Sequence, residues 1–186
     1  MLSELTETEM QWAGCSNPGF FPLIRKGHGR IINIGSGSGR IVLPFLGAYC
    51  ISKYAIGAIT DAFRRELKPW GIHVSIVAPG TVETPIWDKG YAESDKLIAG
   101  LSPLAKEFYA NTFASGRKIV EKGRRRAIRP EGVARVVRHA LEDKRPKICY
   151  VVGIDARMAV ISNFLPNRLI DWLVGKILAR HSTDLR

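Results

Sequence analysis

At 186 residues the chain has the length of one domain and enough sequence to bury a core, and its 46% hydrophobic and 24% charged residues match an ordinary globular protein. A net charge of +11 favours anionic partners such as phosphates, nucleic acid or a membrane surface, or marks a solvated basic face. Cys15, Cys50 and Cys149 lie far apart without a Cys-x-x-Cys, and His28, His73, His139 and His181 show no ligand spacing, so neither a disulfide framework nor a metal site is expected. No run of about 18 apolar residues predicts a membrane-spanning helix, and the acidic start MLSELTETEM is neither a signal nor a transit peptide, so a cytoplasmic location is expected.

Taken in order, Thr6 and Glu9 have capping-box spacing, but Gly14 to Gly19 is dense in breakers and leaves a helix little room. Phe20 to Lys26 reads as the end of a helix closed by Gly27. Arg30 to Ile34 is a short strand, mostly apolar, of the kind found in parallel sheets covered by helices. A loop of small residues, Gly35 to Gly47, leads into a helix over Tyr49 to Leu67. On it Tyr54, Ala55, Ala58, Ile59, Ala62 and Phe63 form one small-and-apolar stripe. Asp61 and Arg65 can pair on its outer face, and Pro69 and Gly71 stop it. His73 to Ala78 is a second buried-type strand, ended by Pro79-Gly80, which makes a βαβ unit with a right-handed crossover.

Pro85 to Gly116 reads as a helical insertion of the kind that builds pockets beyond a strand's carboxyl end. Arg117 to Arg129 then carries a basic cluster. No nucleic-acid module accompanies it, so nucleic-acid binding is not expected. Pro130 starts a helix with Val133, Val136, Val137 and Ala140 on one face. Lys147 to Val152 is a third strand, followed by a short apolar helix near Met158 to Phe164. A last amphipathic helix bears Leu169, Ile170, Leu173, Val174, Ile177 and Leu178. No repeat or second domain is visible, so residues 1–186 are read as one domain.

The chemistry gathers between Ile31 and Lys53. Ser36 sits at a strand's end, and Tyr49 and Lys53 are four apart on one helical face. A free phenol ionises near pH 10, too high for a base at neutrality. An ammonium one turn away favours the phenolate, by up to about 4 kcal/mol for unit charges about 4 Å apart at an effective dielectric near 20. Ser36 can hold a substrate oxygen against Tyr49, an arrangement suited to a carbonyl becoming an alcohol, or the reverse.

These residues resemble the short-chain dehydrogenase/reductase family. Its Tyr-x-x-x-Lys is matched by Tyr49 and Lys53, and its active Ser, thirteen residues before the Tyr, by Ser36. Gly29 to Ile34 and the stretch Pro79-Gly80-Thr81-Val82-Glu83-Thr84 are also similar to the family, over about residues 20–153. The resemblance implies that Ser36, Tyr49 and Lys53 are catalytic and that the cofactor is NAD or NADP. Tyr49, Lys53, Pro79, Gly80, Val82 and Thr84 would then contact it, Lys53 at the ribose and Val82 and Thr84 at the carboxamide. Residues 154–186 are a C-terminal helical extension. The long insertion and C-terminal helices resemble members acting on retinoids, steroids or other lipophilic alcohols. The family's use of this helix as an interface implies a homo-oligomer through Tyr49 to Leu67.

The implied fold class is α/β, the C-terminal part of a doubly wound Rossmann-type parallel sheet missing its first strands. The family's glycine-rich phosphate turn has no counterpart, and Gly35-Ser36-Gly37-Ser38-Gly39 lacks the G-x-G-x-x-G spacing. That run is read as flexible backbone letting Ser36 and substrate approach closely. Without the cradle, this chain alone is expected to bind cofactor poorly and to show little catalysis. The alternative expectation is a non-catalytic protein that binds an intact homologue or touches a membrane surface peripherally.

Overall fold

A computed structural model describes residues 20–182 apart from positions 28 and 45. The Thr6–Glu9 cap and the breaker-rich bridge lie outside them. In chain order the elements are α1 (Phe20–Lys26), β1 (Arg30–Ile34), α2 (Gly47–Glu66), β2 (His73–Pro79), α3 (Ile86–Ala99), α4 (Pro103–Arg124), α5 (Pro130–Glu142), β3 (Cys149–Val152), α6 (Ile154–Ser162) and α7 (Asn167–Ser182). The chain divides into two compact bodies. The first runs to Gly80 and resumes over Glu131–Phe164; the second comprises Thr81–Pro130 and the chain from Leu165.

The first body is an α/β layer structure on a parallel sheet of order β1-β2-β3. Its register sets Ile31 beside Val74 and Ile32 beside Ser75, so alternate residues face opposite sides. On one side Val74 packs with Leu67 and Ile72, supported by Ile24, Ile31 and Phe63 from β1 and the helices α1 and α2. On the other, Val77 and Tyr150 pack with Ala140, supported by Ile32, Val133, Val136 and Val137. Both faces are thus covered, which is why β2 is buried from Val74 to Pro79 and reads as a continuous apolar run. This is the doubly wound arrangement expected.

Polar groups tie the layers. Asn33 Nδ2 on β1 donates to Thr60 Oγ1 on α2 at 2.8 Å, and Thr60 Oγ1 donates to the Ile56 carbonyl. Arg30 Nη1 donates to the Ala140 carbonyl near the end of α5 at 2.9 Å. The fully enclosed residues of α2 are Cys50, Ser52 and Thr60, small or polar, while Tyr54 and Ala58 of the expected apolar stripe are exposed. The stripe therefore straddles the helix edge instead of marking its buried centre. β3 is shorter than expected because Lys147 turns its backbone to side chains. Its N–H donates to Tyr150 Oη, and its carbonyl accepts from Ser75 Oγ.

In the second body the expected insertion is two helices, and α4 runs to Arg124, so Arg117, Lys118, Lys122 and Arg124 are helical. Ser102 makes the break. Its Oγ accepts from Ala105 N at 3.3 Å, and Pro103 fills the first helical position. Exposed ion pairs, Arg117 with Asp95 at 3.0 Å and Arg124 with Asp88 at 3.1 Å, join α4 to α3, while α7 packs along α4. No helix among the described residues is long and apolar enough to cross a membrane.

Candidate active site

Because the strands run parallel, the chain leaves β1, β2 and β3 at the same end of the sheet. Ser36, Gly80 and Asp155 follow those three ends. Ser36 is in extended backbone and caps the short turn Gly37–Gly39, its Oγ accepting from Ser38 N at 3.1 Å. It is half-buried.

The turn is clamped. Gly35 N donates to the Val77 carbonyl at 2.8 Å, extending the ladder past β1, and a Cβ at Gly35 would stand 2.6 Å from Ile76 Cδ1. A Cβ at Gly37 would come within 3.0 Å of Ala156 Cα on α6. One at Gly39 would stand 2.8 Å from the Lys53 carbonyl oxygen on α2. At Gly39 a side chain would need backbone to move, whereas at Gly35 the Ile76 side chain and at Gly37 the Ala156 backbone would have to give way. The glycines are there for close packing against β2, α6 and α2, which corrects the reading of a flexible loop.

Tyr49 is the third residue of α2, half-buried, and Lys53 follows one turn on. Lys53 Nζ lies over the Tyr49 ring, 5.6 Å from its centroid. Between them Cys50 is fully enclosed, its Sγ donating to the Ile41 carbonyl at 3.7 Å, and Ser52 Oγ donates to the Tyr49 carbonyl. One face of the first turns is thereby pinned while the Tyr49–Lys53 face stays partly open. Burial pushes the phenol of the neighbouring Tyr54 up, and Cys50 adds to the effect.

Pro79 is buried at the end of β2, and Gly80 N donates to the Val152 carbonyl at 2.8 Å. A Cβ at Gly80 would overlap the Asp155 carboxylate, so a larger residue there would have to displace that side chain. Asp155 is a residue the sequence reading missed; its one signal was its place two residues past Gly153, whose φ of 103° favours glycine. These five residues, Ser36, Tyr49, Lys53, Pro79 and Gly80, belong to the first body, whereas Val82 and Thr84 belong to the second. There Val82 bridges to Ile128, and its carbonyl accepts from Trp87 Nε1 at 2.7 Å. Thr84 lines a cleft with Trp87, Arg124 and Arg125.

Comparison with known proteins gives consistent results. The family model for short chain dehydrogenases matches residues 16–95. The chain is 39% identical over 137 residues to 3-amino-tetrahydro-pyrrolizinone reductase of Xenorhabdus hominickii, covering 73% of this chain and 48% of that protein. It is 33% identical over 165 residues to retinol dehydrogenase 5 of Mus musculus, covering 86% and 52%. The crystal structure of a short chain dehydrogenase from Burkholderia cenocepacia in complex with NADP superposes with a TM-score of 0.61. It covers 92% of this chain and 59% of that one at 19% identity, a likeness of fold. The chain spans about half the length of the curated relatives it matches.

Proposed function

The chain belongs to the short-chain dehydrogenase/reductase family, and from that premise we propose an oxidoreductase that interconverts an alcohol and a carbonyl with NAD or NADP. The observation that carries the reading is one face of α2, where Lys53 Nζ lies over the Tyr49 ring while the Ser36 turn packs on the same helix through Gly39.

Each group has a part in the proton's path. Ser36 Oγ donates a hydrogen bond to the substrate oxygen and orients it. The Tyr49 hydroxyl gives its proton to that oxygen during reduction and takes it back during oxidation. Lys53, fixed one turn away, offsets the negative charge that develops on the phenol oxygen as the proton leaves. The nicotinamide, when bound, supplies or accepts the hydride. Its ribose end fits the residues present, since Tyr49 and Lys53 offer a hydroxyl and an ammonium on one partly open face. Its pyrophosphate end finds no G-x-G-x-x-G turn among these residues. Pro79 and Gly80 contribute backbone at the carboxyl end of β2, and Val82 and Thr84 are the carboxamide contacts of this reading.

A small alcohol or ketone of lipophilic character is the proposed substrate, supported by the likeness to a retinol dehydrogenase. Exposed Ile51, Tyr54 and Ala58 along α2 support self-association through that helix. A second reading, a non-catalytic protein that binds an intact homologue or a membrane surface, is supported by the exposed row Ile154, Met158, Ile161 and Phe164 at α6.

Titration with NADH and with NADPH, followed by nicotinamide fluorescence and thermal stability together, tests the oxidoreductase reading. Saturable binding that raises Tm, with turnover lost in Tyr49→Phe, supports it. Absence of binding by a folded chain transfers the weight to the second reading.

A further inference from the structure

The basic cluster takes no part in the chemistry above, yet the second body gives it a setting. Parallel contacts stitch the segment after Gly80 to the end of the cluster. Ile128 N donates to the Thr81 carbonyl at 2.8 Å, and Glu83 N donates to the Ile128 carbonyl at 2.9 Å. Turn hydrogen bonds from Arg126 N to the Gly123 carbonyl and from Ala127 N to the Arg124 carbonyl fold the chain back after α4. Between the two segments lies a cleft of about 480 Å³.

Its walls have two characters. Trp87 and Pro85 with Ala127 supply carbon surface. The Trp87 indole N–H is spent on the Val82 carbonyl, so the ring is held in place. Arg124 and Arg125 line it as well, together with Glu83 and Asp88, and the Arg124 guanidinium lies 5.8 Å from the centroid of the Tyr91 ring. Asp88 is paired with Arg124 at 3.1 Å, which orients that guanidinium and leaves it further N–H donors. From Arg117 to Arg129 the segment has seven basic residues and one acidic residue, Glu121, an excess of positive charge that favours an anion.

We propose that this cleft binds a small organic anion, its carboxylate or phosphate on Arg124 and Arg125 and its apolar body against Trp87. A planar guanidinium matches either oxyanion in a fork of two hydrogen bonds. The two sources of such a group are an acidic substrate and a phosphate of the nicotinamide cofactor. Anion binding in the cleft is measured without turnover, so its outcome is independent of the role of Tyr49.

The experiment is isothermal titration of the full chain with benzoate, phenyl phosphate and neutral benzamide, with NADPH as competitor. An anion is expected to bind at least tenfold more tightly than benzamide. Arg125→Gln, at an exposed position, is expected to weaken it at least tenfold, and Arg135→Gln on α5 to leave it unchanged. Displacement by NADPH identifies the cofactor phosphate as the natural occupant, and indifference to NADPH identifies an acidic substrate. Equal affinity for benzamide, equal loss in Arg125→Gln and Arg135→Gln, or no anion binding by a chain that melts cooperatively would overturn the proposal.

Discussion

The two bodies are held together by different forces. In the first, Val77 and Cys50 are fully enclosed, and Leu67, Ile72, Val74 and Ile76 are nearly so. In the second, Ser115 is the single buried residue among those described, and exposed ion pairs join α3 to α4. Burial of apolar area is worth about 25 cal/mol per Å², whereas an exposed ion pair contributes about 0.2–1 kcal/mol. The difference teaches where rigidity is concentrated. The Ser36, Tyr49 and Lys53 side chains stand on the well-buried sheet body, and Thr84 with the arginine cleft stands on the body with few buried residues, which is expected to open more readily.

The sharpest test of this division is at the phenol. Tyr49→Phe is expected to lower kcat/KM by about 10²–10⁴, the usual worth of general acid–base catalysis, with Tm unchanged because the ring and its packing remain. A parallel loss of stability would mean that the hydroxyl is structural. Next comes the core. Leu67→Ala is expected to destabilise the first body by about 2–5 kcal/mol in urea unfolding. A smaller loss would erase the contrast between the bodies. Gly39→Ala forces a methyl group against the Lys53 carbonyl and is expected to cost about 1–3 kcal/mol. It should also reduce turnover by displacing Ser36, so full activity in a stable variant would refute the clamp.

The second body is expected to answer to salt instead. Hydrogen exchange over Ile86–Ala99 should be faster than over His73–Pro79, and 1 M NaCl should speed it further while leaving β2 protected. The smallest effect belongs to Asp61. Hydrogen bonding to Arg64, with the nearby Arg65 charge, holds its carboxyl below the ordinary range. A depressed folded-state pKa gives stability that is present above the unfolded value near 3.9 and is lost as pH falls through the folded value. Because Asp61 is about half exposed, the contribution is at most about 0.5 kcal/mol, readable as the vanishing difference between wild type and Asp61→Asn on acidification.

Much of this was legible in the chain. β1 was bounded to the residue, because a short apolar run between glycines has few alternatives. The spacing of Tyr49 and Lys53 signalled one helical face, which α2 provides from Gly47 onward. What stayed hidden depended on contacts far along the sequence. Nothing local says that Gly37 faces Ala156, that Gly80 faces Asp155, or that Thr60 is buried to meet Asn33. The same holds for the basic cluster. Its charge was plain, but its setting opposite Thr84 and Trp87 comes from the backbone stitching at Ile128. The two-helix form of the insertion was readable in Ser102-Pro103, a cap followed by the residue that favours a first turn.

The enclosed thiol beside Tyr49 makes the molecule its own chronometer. Cys50 donates to the Ile41 carbonyl from full enclosure, so an alkylating reagent must wait until that stretch leaves the helix. Cys149, only half-buried on β3, need not wait in the same way. The ratio of the two labelling rates, followed peptide by peptide, therefore times how often the Ile41 segment lifts off the start of α2, with no substrate and no assay of turnover.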